Sequence, residues 1–68
     1  MNEQIKGERI KAELERAKEA LQAAENLCED GLLADSVSRS YYAIFHAARA
    51  VMLTKEIDPD THNGAVAM

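Results

Sequence analysis

The sequence predicts an all-α protein built as an antiparallel helical hairpin, and three observations carry that reading. One apolar seam runs through the first half of the chain at helical spacing, and a second runs through the next stretch. Between them Glu29-Asp-Gly31 supplies a break, with no proline before Pro59. At 68 residues the chain is at most one small domain, and a chain this short struggles to bury enough apolar surface alone. The expected architecture is therefore part of an up-and-down bundle, completed by oligomerisation or by further helices.

The first helix is expected over about residues 3–29. Ile10, Leu14, Ala17, Leu21, Ala24 and Cys28 follow one another at intervals of 4, 3, 4, 3 and 4 residues, one continuous seam on an α-helix. The alanines would let a partner helix approach closely. Glu8–Lys11, Glu13–Arg16 and Glu15–Lys18 are opposite charges three apart, a pattern that reads as an exposed outer face. Gly31 suits the left-handed residue that follows a last helical turn.

The second helix is expected over about residues 32–56. Leu33, Val37, Tyr41, Ile44, Ala48 and Val51 form its apolar stripe, and the short connection makes it antiparallel to the first. Pro59 disfavours helix at Asp58. Asp60 or Thr61 could cap a third helix over about 61–68, which makes the whole chain, 1–68, a single and partial domain. A hairpin exposes one face of its core, so self-association, with a dimer as the simplest form, is expected to cover it.

Composition removes several classes of function. Cys28 is the only cysteine, so no disulfide forms within the chain, and a lone thiol fits a reducing, cytoplasmic setting. Cys28, His46 and His62 lack the spacing of a zinc site. The polar start, Asn2 to Lys11, does not resemble a signal peptide. Tyr41–Leu53 is too short and too interrupted to cross a bilayer, so no membrane partner is expected. A net charge of −4 argues against a generic nucleic-acid coat but not against a local basic site. Asp58-Pro-Asp-Thr-His-Asn-Gly64 only faintly echoes a calcium loop, with its glycine one position late. No cofactor motif is present, and none is expected.

The chemistry gathers on the second helix. All three aromatic residues, Tyr41, Tyr42 and Phe45, lie there, interleaved with Arg39, His46 and Arg49. Asp35, Arg39, Tyr42, His46, Arg49 and Leu53 repeat the 4, 3, 4, 3, 4 spacing, a stripe roughly opposite the apolar one. Arg39 and His46 fall about 10 Å apart along it, a separation suited to two parts of one phosphodiester. A structural reading stands beside this one. Asp35–Arg39 would be a surface ion pair, and Tyr42 and His46 would pack a partner helix with their polar tips at its rim.

The run Arg39-Ser-Tyr-Tyr-Ala-Ile-Phe-His-Ala-Ala-Arg-Ala-Val-Met-Leu53, followed by Thr61-His-Asn-Gly-Ala-Val66, resembles the HEPN family over about residues 8–66. More narrowly it resembles small prokaryotic members with a Tyr-Tyr-Ala-x-Phe-His-Ala-Ala-Arg second helix. The resemblance implies an up-and-down helical bundle that dimerises. It also implies a toxin–antitoxin or nucleotide-binding system with a minimal nucleotidyltransferase as partner. Many members are metal-independent ribonucleases with an Arg-x4–6-His motif, and six residues separate Arg39 from His46.

On that basis Arg39 and His46 are the catalytic candidates, and Arg49 and Tyr42 the phosphate- or RNA-binding ones. Tyr41, Ile44, Phe45 and Ala48 are interface candidates. In active family ribonucleases the Arg–His pair commonly sits on a later helix than it does here. The alternatives are a non-catalytic dimerisation or partner-binding module, or an inactive fragment.

Overall fold

The structure is a computed structural model, and residues 2–57 are described. Two helices pair along their length: α1, Glu3–Glu29, and α2, Leu33–Thr54. No strand occurs among the described residues. The third helix expected over about 61–68 lies outside them.

Local chemistry sets the ends. Asn2 caps α1, its Oδ1 accepting the Ile5 amide hydrogen at 2.8 Å, which satisfies one of the orphan donors of the first turn. At the other end Gly31 adopts φ 78°. The Leu32 amide donates to the Leu27 carbonyl at 2.9 Å and the Gly31 amide to the Cys28 carbonyl at 3.0 Å. That pair of bonds is the Schellman closure, and it turns the chain back within three residues. The end of α2 repeats it. Ile57 donates to the Met52 carbonyl at 2.9 Å and Glu56 to the Leu53 carbonyl at 3.1 Å, with Glu56 at φ 60° in the glycine position.

The helices meet along small side chains. On α1 the buried residues are Glu13, Ala20 and Ala24, with Ile10, Ala17 and Leu27 half-buried. On α2, Ser36, Ser40, Ala43 and Ala47 are half-buried and Ala50, Met52 and Leu53 buried. Near the turn the Ser36 hydroxyl donates to the Ala24 carbonyl at 2.7 Å, holding the start of α2 against α1. Towards the open end Lys6 Nζ pairs with Glu56 Oε1 at 3.4 Å.

This contact is rotated from the seams expected from spacing. Leu14 and Leu21 are 47% and 51% exposed, and Cys28 is exposed as well. On α2 the stripe Leu33, Val37, Tyr41, Ile44, Ala48 and Val51 is exposed throughout. The physical reason is size. Alanine and serine let the two backbones approach, whereas the bulky residues stand to one side and form a second apolar face. There Leu14, Ala17, Leu21, Ala43, Ile44 and Ala47 line a shallow groove.

Candidate functional site

The opposite face of the hairpin carries the polar chemistry. Glu13 lies on the part of α1 turned towards α2, between Ile10 and Ala17, and is 5% exposed. Its Oε2 is 2.8 Å from His46 Nδ1 and accepts from Arg49 Nε at 3.2 Å. Its Oε1 accepts from an Arg16 guanidinium nitrogen at 3.2 Å. One carboxylate thus gathers three basic side chains, two of them from the facing helix.

Burial alone would push the Glu13 carboxyl up. The hydrogen bonds from His46 and Arg49 and the positive charge of Arg49 outweigh it and hold the group below its ordinary value. Among the described residues no buried side-chain nitrogen or oxygen lacks a hydrogen-bond partner.

Beside this hub runs a cleft of about 340 Å³, lined by Arg16, Glu19 and Ala20 from α1 and by Arg39, Tyr42 and His46 from α2. The Arg39 guanidinium carbon lies 6.0 Å from the centre of the Tyr42 ring. That of Arg49 lies 5.5 Å from the Phe45 ring, within reach of a cation–π contact. Phe45 meets the His46 ring edge-on at 5.3 Å. Tyr41 stacks on Phe45 at 6.4 Å.

The residues singled out from the sequence therefore divide. Arg39, Tyr42 and His46 share the cleft. Arg49 sits next to it, bound to Glu13. Tyr41, Ile44, Phe45 and Ala48 are exposed, and Ile44 belongs to the groove on the other face. Glu13 was missed as a site residue. The pair it makes with Arg16 is present, but it marks the centre of the polar site rather than an outer surface. The available signal was positional: 13, 17, 20 and 24 repeat at 4, 3 and 4, one residue out of phase with the more apolar seam. Among the described residues no cluster of His, Cys, Asp and Glu could hold a metal ion. No helix there is long and apolar enough to cross a membrane.

This pairing of helices, with an Arg–His stripe on the second, fits a small helical domain whose polar face is built around one histidine. Residues 10–68 match the HEPN domain family, and the chain belongs to it. It is 47% identical, over its whole length, to a Methanocaldococcus jannaschii protein whose name marks it as a candidate toxin, covering 50% of that protein. A UPF0332 protein of Pyrococcus horikoshii is 44% identical over 90% of the chain and 43% of its own length. A UPF0332 protein of Gloeobacter violaceus is 42% identical over 81% of the chain and 44% of its own length. The chain thus spans about half the length, or less, of these relatives. No solved structure gives a significant match.

Proposed function

We propose that this HEPN domain acts as the RNA-directed part of a toxin–antitoxin system, with Arg39 and His46 at the centre of a metal-independent ribonuclease site. The observation that carries the reading is the shared cleft, where Arg39, Tyr42 and His46 of α2 face Arg16 of α1. A guanidinium can hold a phosphodiester through two parallel hydrogen bonds and offset charge that grows in the transition state. An imidazole is the side chain best suited to move a proton near neutral pH. Tyr42 offers a ring for an unstacked base.

In this scheme His46 takes the proton of a ribose 2′-hydroxyl, and the freed oxygen attacks phosphorus. The bond to the 5′ oxygen breaks, a 2′,3′-cyclic phosphate forms, and the leaving oxygen takes a proton from solvent. Arg16 and Arg39 in the lining, with Arg49 beside it, outnumber Glu19 and the Glu13 carboxylate, so the cleft can attract RNA although the chain as a whole carries −4. The candidate-toxin name of the methanogen relative agrees with this reading, and a minimal nucleotidyltransferase is the antitoxin partner it calls for.

The test is RNA cleavage in EDTA by the wild-type chain and by His46→Ala. Cleavage by wild type alone supports the assignment. Equal cleavage by both, or none by either, sinks it.

A second reading, a dimerisation or partner-binding module, is favoured by the exposed face of Val37, Tyr41, Ile44 and Val51. These are 52–70% exposed, more apolar surface than a lone small chain ordinarily leaves to water. The two readings are compatible, because the cleft and the apolar groove lie on different faces.

A further inference from the structure

We propose that Glu13 is the positioning residue of the cleft, fixing the His46 ring so that Nδ1 carries the proton and Nε2 faces the ligand. The inference rests on the ribonuclease reading for what His46 does there. For how the ring is held it rests on the contacts of Glu13 and on that carboxyl being ionised.

An ionised carboxylate can only accept hydrogen bonds. Glu13 is ionised because hydrogen bonds and positive charge from the facing helix stabilise the carboxylate against its burial. The 2.8 Å contact between His46 Nδ1 and Glu13 Oε2 therefore needs a hydrogen on Nδ1. In a neutral ring that leaves a lone pair on Nε2. Nδ1 is turned to a carboxylate that is 6% exposed, whereas the ring as a whole retains 21% exposure and lines the cleft. Nε2, across the ring from Nδ1, is thus the nitrogen that a ligand meets, and it meets it as a base.

The carboxylate is itself held. Arg16 binds one oxygen, while Arg49 shares the other with His46. Phe45 covers one side of the imidazole edge-on. A ring held by a buried carboxylate, with that carboxylate anchored by cations on both helices, is kept in one tautomer and one orientation. That is the function of the acid in a nucleophile–histidine–acid arrangement, here without a nucleophile from the protein.

The first measurement is the tautomer of His46 by long-range proton–nitrogen NMR at about pH 9, above the ordinary imidazole range. His62→Gln in the same chain leaves a single imidazole in the spectrum. The expected result is a protonated Nδ1 and an unprotonated Nε2. A ring protonated on Nε2 overturns the inference even if every Glu13 variant fails to fold.

The second measurement is Glu13→Gln, whose amide can either donate or accept. It is expected to give a mixture of tautomers at unchanged helicity, and a fall of about tenfold or more in kcat with little change in KM. A folded Glu13→Gln with the wild-type tautomer and wild-type kcat also overturns it. If wild type cleaves no RNA, the ribonuclease reading falls while the spectrum still decides what Glu13 does to His46.

Discussion

Glu13 and Arg49 meet at 3.2 Å across the two helices, and the oxygen that Arg49 binds is the one that His46 approaches. Residues more than thirty positions apart are thereby tied at one buried atom. The contact is a polar link between α1 and α2, and it lies beside the cleft that His46 lines. Stability and site chemistry share a group, so changes at Glu13 should be read in both.

The first prediction concerns pH. Burial opposes ionisation of Glu13, but the His46 and Arg49 hydrogen bonds and the Arg49 charge prevail, so its folded pKa lies below the ordinary 4.5. Its contribution to stability is therefore fully present above 4.5. It is lost as pH falls through the lower, folded value. Urea unfolding followed by circular dichroism from pH 7 down to pH 2 should show this acid loss in wild type. In Glu13→Gln that component should be absent. An unchanged acid limb in the variant would assign the loss to other carboxylates.

A second prediction tests the bond that holds the start of α2 against α1. Ser36 donates to the Ala24 carbonyl at 2.7 Å from a half-buried position, and alanine there would leave that carbonyl short of one partner. Ser36→Ala should cost about 1 kcal/mol, seen as a lower urea midpoint at unchanged slope. Asp35→Ala, an exposed neighbour on the same turn, should cost clearly less.

The third prediction runs towards greater stability. Glu56 holds φ 60° at the end of α2, a conformation that disfavours a side chain by about 1 kcal/mol. Its pair with Lys6 is long, at 3.4 Å, and open to water on the Glu56 side, which is 67% exposed against 17% for Lys6, and such pairs contribute little. Glu56→Gly should therefore raise the thermal midpoint. A fall would mean that the Lys6 pair outweighs the backbone strain.

Several of these features were legible from the sequence. Two amphipathic segments and the glycine between them are enough to specify an antiparallel pair of helices, because periodicity and a helix stop are local properties. Arg39, Tyr42 and His46 fall on one face of α2 for the same reason, and they do share a cleft. What could not be read was which arc of each helix meets the other. On α1 the seam through Leu14 and Leu21 and the seam through Glu13 and Ala20 share Ala17 and Ala24. Hydrophobicity favours the first and close approach the second. The hairpin uses the second, and the facing His46 and Arg49, together with Arg16 of α1, make a buried Glu13 tolerable. A partner thirty residues away in sequence leaves no trace in the local pattern around Glu13.

The last prediction follows from the arc that the hairpin leaves unused. Ile44 is 70% exposed and shares the apolar groove with Leu14 and Leu21, so Ile44→Glu removes little from the packing of α1 on α2. Such a surface change should alter the hairpin's own stability by no more than about 0.5 kcal/mol. If a second copy covers this face, the same change places a charge in the centre of an apolar contact, where an unpaired group is costly. Sedimentation velocity should then show the wild-type chain associated and Ile44→Glu shifted to smaller species, with helicity preserved. Arg39→Ala, on the opposite face, should leave the association unchanged. Equal dissociation by both variants would place the contact elsewhere, and no association in wild type would remove a second copy as the partner of this face.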